Sequence, residues 1–121
     1  MNHTDQFGRD EILLAGLSLG AKAAIGSTYN FAAPLYNAIR AAVAEKDFVK
    51  ANQLQLISMR LVDNCIRISG GNPLPAIKAL TGWRAGIELG PLRAPVTPIS
   101  TEARDALFKA AEQLAGEYLS Q

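Results

Sequence analysis

Apolar residues recur every three or four positions through most of this chain, which predicts helices. A single short apolar run lacks that spacing and predicts a strand. The first helical stretch is Asp10 to about Leu19, apolar on most sides, with Gly20 as its stop. Gly16 inside it lets the helix approach another backbone closely, at a cost of about 1 kcal/mol against alanine. Ala23-Ala24-Ile25 is the one strand expected, and its lack of polar alternation suits burial on both faces of a parallel sheet. Residues Met1 to Phe7 read as polar and irregular.

Helix start and stop signals order the rest. Pro34 suits a first helical position, because its missing N–H would be unpaired there, and that helix runs to about Glu45. Asp47 caps a long helix from Phe48 to about Ser69. Its stripe is Ala51, Leu54, Ile57, Leu61, Cys65 and Ile68; Leu56, Met59, Val62 and Ile66 widen it and predict burial on two sides. Gly70-Gly71 ends the helix, and Asn72-Pro73 starts a shorter one to about Thr81 with Gly82 as stop. Trp83, just after that stop, reads as packing. Three prolines between Gly90 and Ile99 predict an extended connection. Ser100 caps a last helix to about Tyr118, with Glu102 near its positive end. Four or five helices and at most one short strand are expected.

Composition narrows the function classes. The 121 residues make one domain at most, and 49% of them are hydrophobic, enough for a core. Twelve Lys and Arg stand against eleven Asp and Glu, scattered along the chain, which argues against nucleic acid or an anionic membrane as partner. Cys65 is the one cysteine, so no internal disulfide forms and a reducing, cytoplasmic home is expected. It reads as a buried helix residue. His3 is the one histidine, in the polar N-terminal stretch, and the pair cannot build a structural zinc site. No metal is expected. The N-terminus lacks a signal-peptide pattern, and no apolar run reaches the roughly 18 residues of a membrane span.

Two short motifs carry candidate chemistry: Gly8-Arg9-Asp10-Glu11 and Gly26-Ser27-Thr28-Tyr29-Asn30. The order of acidic pair, helix, buried strand and small polar loop is that of one repeat of a (β/α)8 barrel, a fold needing about 200 residues or more. Asp10 and Glu11 also suit helix-cap and dipole roles, and Ser27 and Thr28 suit a capped turn. Thr28, Tyr29 and Asn30 read as shaping their loop.

From about Gly8 onward the chain resembles the N-acetylneuraminate lyase and dihydrodipicolinate synthase family. The resemblance rests on GRDEILLAGLSLGAKAAIGSTYN and continues to the loop Gly90-Pro91-Leu92-Arg93-Ala94-Pro95-Val96. The acidic pair with GSTYN leans toward the lyase branch, whereas Asn72-Pro73-Leu74-Pro75 and the Arg93–Pro98 loop look more like the synthase branch. The resemblance implies a mostly α chain: the last helix–strand–helix unit of a (β/α)8 barrel in residues 1–46, then a three-helix C-terminal domain in 47–121. It implies class I aldolase chemistry, in which a lysine on the sixth strand forms a Schiff base with pyruvate and no cofactor is needed. It places Gly8, Asp10, Glu11, Gly26 and Ser27 against the hydroxyls of a sugar acid or keto acid. Carboxylates accept hydrogen bonds from such hydroxyls, and a serine both donates and accepts.

The lysine of the sixth strand has no counterpart in this sequence. Lys22 precedes the strand and lies roughly 13 Å from Gly26 at about 3.3 Å per residue. Lys46, Lys50, Lys78 and Lys109 fall on helices or their ends and read as solvated. A truncated reading frame, a misassigned start or a split gene is therefore expected, with the chain inactive alone and associating with itself or with a missing barrel half. The alternatives are a synthase-like fragment and a non-catalytic helical oligomerisation module.

Overall fold

The computed structural model describes residues 6–120, so His3 and the rest of residues 1–5 lie outside the described part. Strand β1 (Gln6–Phe7) is followed by a 3-10 turn (Asp10–Ile12), helix α1 (Leu13–Ser18) and strand β2 (Ala23–Ala24). Helices α2 (Tyr29–Ala44), α3 (Phe48–Ile68), α4 (Leu74–Ala85) and α5 (Thr101–Ala115) come next, and a 3-10 turn (Gly116–Tyr118) ends the chain. No described helix is long and apolar enough to cross a membrane.

The second strand corrects the expectation of one. Gln6 and Phe7 pair in parallel with Ala23 and Ala24, and the Ile25 N–H donates to the Phe7 carbonyl at 3.0 Å. The ladder needs only backbone groups, so a polar Gln6 does not forbid it. Phe7 turns inward over Gly16, where a Cβ would meet the ring at 2.5 Å. Gly16 thus admits a side chain rather than a backbone. Ile25 is 65% exposed, contrary to a strand buried on both faces, because each strand has one neighbour among the described residues.

The first helix is broken into the 3-10 turn and α1 because Ile12 adopts φ −137°, ψ 30°. Gly20 ends it in the left-handed region at φ 95°. Helix α2 starts one turn earlier than expected, at Tyr29, and kinks at Ala32. Pro34 falls in the first turn after the kink, where its absent N–H costs little. Asp47 caps α3 by accepting from the Lys50 N–H at 3.0 Å, and Ser100 caps α5 by accepting from Ala103 at 3.1 Å.

Gly82 does not stop α4. The helix runs through it to Ala85, and Gly86 at φ 66° is the stop. A Cβ on Gly82 would lie 2.8 Å from the Ile87 carbonyl, so this glycine lets the following segment fold back. Trp83 lies inside α4 and stacks on Phe108 of α5, with ring centroids 4.7 Å apart.

One core joins all parts, from Leu13 through Phe31, Leu35 and Ile39 of α2 and Leu54, Leu61 and Cys65 of α3 to Leu107 and Leu119. The widened stripe on α3 is not buried: Leu56, Met59 and Ile66 are exposed. The inward arc instead includes two polar residues, Gln55 and Ser58.

Candidate functional site

Parallel pairing decides where the two motifs lie. Both strands run the same way, so the loops that leave them, Gly8–Glu11 and Gly26–Ser27, emerge at the same end of the ladder. A Cβ on Gly8 would sit 3.8 Å from the Ile25 carbonyl, which places the two loop starts side by side.

Within this edge the acidic pair divides. Glu11 is partly exposed and bonds Arg9 at 3.1 Å. Asp10 is 6% exposed, and its Oδ2 accepts from the Thr28 N–H at 3.0 Å and from the Thr28 hydroxyl. Its Oδ1 has no hydrogen-bond partner among the described residues. That oxygen lies against Gly26, where a Cβ would fall inside the carboxylate. Neither Asp10 nor Glu11 caps the turn or α1 through its side chain. Ser27 is exposed at the loop tip, and its carbonyl accepts from the Asn30 side chain at 2.9 Å.

Behind the edge runs a buried chain of hydroxyls. Thr28 Oγ1 lies 2.6 Å from Tyr36 Oη, which lies 3.0 Å from Ser58 Oγ. Ser58 then donates to the Asp10 carbonyl at 3.0 Å, closing a ring that ties the turn to α2 and α3. Gln55 adds a clamp, donating to the Asp10 carbonyl and accepting from the Leu14 N–H at 2.8 Å. Sequence reasoning passed over Tyr36, Gln55 and Ser58. The available signal was that Gln55 and Ser58 fall in register with Ala51, Leu54 and Leu61, and polar residues on a buried face require partners.

Burial sets the titration of this region. It pushes the Tyr36 hydroxyl up to about 12, against opposing hydrogen bonds from Ser58 and Thr28, and pushes the Cys65 thiol up to about 12. Tyr29, whose ring centroid is 4.2 Å from that of Tyr36, is raised as well, first by burial and then by Asp10. A raised native value means the folded state keeps its proton where the unfolded chain has lost it. The contribution of these groups to stability is therefore full below about pH 9 and is expected to be lost through the window from pH 9 to 12. Urea unfolding midpoints between pH 8 and 11 check this, and Tyr36→Phe is expected to flatten the fall.

Lys22, Lys46, Lys50 and Lys109 are exposed. Lys78 departs from the solvated reading: it is half-buried and its Nζ donates to the Pro91 carbonyl at 3.1 Å. None of these lysines lies in the ring around Asp10. Among the described residues no group of three or more His, Cys, Asp and Glu could hold a metal ion.

A profile of the dihydrodipicolinate synthetase family matches residues 2–114. The chain belongs to that family. Among curated members of the family, N-acetylneuraminate lyase 2 of Escherichia coli O6:H1 is 35% identical over 111 residues, covering 92% of this chain and 35% of the relative. The human N-acetylneuraminate lyase is 35% identical over 100 residues, covering 83% of this chain and 31% of the relative. The chain thus spans about a third of the length of the curated family members it matches. In three dimensions it is similar to Proteus mirabilis N-acetylneuraminate lyase, with a TM-score of 0.82 at 28% identity over 90% of this chain and 36% of that one. It is also similar to KD(P)GA from T. tenax, with a TM-score of 0.79 at 26% identity over 93% of this chain and 38% of that one.

Proposed function

We propose that this chain supplies the sugar-acid end of the active site of a class I, Schiff-base aldolase that acts like N-acetylneuraminate lyase, releasing pyruvate from a sialic acid. In this reading residues 1–46 are the last part of a (β/α)8 barrel and 47–121 its helical C-terminal domain. The observation that carries it is the parallel β1–β2 pair, which sets Gly8–Glu11 and Gly26–Ser27 at one edge. Active sites of such barrels lie at the ends of the strands where these loops emerge. Glu11 and Ser27, the accessible polar members, meet substrate hydroxyls, with Gly8 at the start of the first loop beside them, while Gly26 makes room for the Asp10 carboxylate. Asp10 orients the second loop through Thr28, with its other oxygen, Oδ1, buried against Gly26.

The nucleophile is not among these residues. A Schiff-base lysine must be partly neutral near pH 7, which requires burial or a nearby cation. Exposed Lys22, Lys46, Lys50 and Lys109 lack that burial, and Lys78 is held by a carbonyl outside the Asp10 ring. A Ruminococcus gnavus sialic acid aldolase, 25% identical, is known with its catalytic lysine mutated, which supports lysine chemistry in the group. The purified chain is expected to release no pyruvate from N-acetylneuraminate. Reduction with borohydride in the presence of pyruvate is expected to add no mass to any lysine. A modified lysine would refute the assignment.

A second reading, a non-catalytic helical module that assembles with itself, is favoured by the exposed Leu56, Met59 and Ile66 on α3. Light scattering tests this second reading: a monomer at all accessible concentrations removes it.

A further inference from the structure

A groove of about 510 Å³ lies away from the candidate edge, between α4, α5 and the connecting segment 86–99. That size falls in the range of small-molecule sites. Its walls are apolar, with Trp83, Phe108, Leu89 and Ile99 prominent, and it carries two cations, Lys78 and Arg104.

Both cations have capacity to spare. Arg104 Nε is buried, without a hydrogen-bond partner among the described residues and 3.8 Å from the Asp105 carboxylate, while the side chain as a whole is 41% exposed, so its outer guanidinium nitrogens are the donors a ligand can reach. A guanidinium carries five donors in a fork that matches a carboxylate. Lys78 spends one donor on the Pro91 carbonyl and has two more. The lone acidic residue of the lining, Glu88, is exposed and accepts from the Gly90 N–H at 3.4 Å. Apolar walls with two under-used cations complement a molecule with an apolar body and one anionic head.

We propose that this groove binds a free monocarboxylate with an aliphatic tail, its carboxylate held by Arg104 and Lys78 and its tail lying against Trp83, Leu89 and Phe108. The site is separate from the edge formed by Asp10 and Ser27, so its test does not depend on aldolase activity. Binding adds a ligand to the folded state alone and therefore stabilises it.

Trp83 is the one tryptophan of the chain and forms a wall of the groove, so its fluorescence reports occupancy directly. The full chain is titrated with sodium decanoate below its micelle concentration, with decanol and decyltrimethylammonium as matched tails. The expected result is a saturable change in Trp83 emission with decanoate, at least tenfold weaker with decanol and absent with the cation. Arg104→Gln and Lys78→Gln are each expected to weaken decanoate binding fivefold or more, and added salt to weaken it in the parent chain. Should Arg104→Gln fail to fold by circular dichroism, Lys78→Gln and the salt series decide the matter. No saturable signal, equal binding of decanol, or affinity indifferent to both substitutions and to salt would overturn the proposal.

Discussion

Gly26→Ala is expected to destabilise the chain by about 3 kcal/mol, more than a surface glycine would suggest. The added Cβ falls inside the Asp10 carboxylate. Asp10 cannot retreat without releasing the Thr28 N–H, which is buried and then unpaired, and the Thr28 hydroxyl, which then keeps Tyr36 as its partner. The cost combines overpacking with lost hydrogen bonds to a carboxylate. Urea unfolding of Gly26→Ala, Asp10→Ser and the double variant checks the mechanism. In the Asp10→Ser background the alanine should cost less than half as much, because the colliding oxygen is gone.

Phe31→Ala is expected to cost about 4 kcal/mol, the largest effect of a single truncation here. Phe31 is the largest of the fully buried side chains, and it sits one residue before the kink at Ala32. Its carbonyl accepts from the Ser120 N–H at 2.7 Å, so this point of α2 also anchors the end of the chain. Removing the ring leaves a cavity that the kinked backbone cannot close, since the Thr28–Tyr36–Ser58 chain holds α2 in place. Phe31→Leu should recover more than half of the loss. Chemical unfolding of both variants measures the difference, and equal stabilities would show that the site repacks.

What was legible in the sequence was local. Asp47, Ser100 and Gly20 act within a few residues of themselves, and each does what its residue type suggests. Cys65 is buried because its helical spacing puts it there. Non-local choices were not legible. Whether Gln6–Phe7 forms a strand depends on Ala23–Ala24 beside it. Whether Gly82 or Gly86 ends α4 depends on Ile87 folding back over the helix. The apolar residues of α3 outnumber the positions its buried face has, and packing gave two of those positions to Gln55 and Ser58 for the sake of the Asp10 carbonyl. At the candidate site the sequence did not show that Asp10 faces inward while Glu11 and Ser27 remain accessible, because that depends on Thr28 and α3 packing against the turn.

The proposal that these two loops recognise a sugar acid is tested most directly by a chimera. This chain replaces the matching C-terminal part of Proteus mirabilis N-acetylneuraminate lyase, and kcat/KM for N-acetylneuraminate is measured beside borohydride trapping of pyruvate. The chimera is expected to trap pyruvate and to cleave the sugar acid, with Glu11→Gln and Ser27→Ala each lowering kcat/KM at least tenfold, about 1.4 kcal/mol of transition-state stabilisation. A chimera that traps pyruvate yet cleaves nothing, or cleaves equally well with both residues replaced, would contradict it.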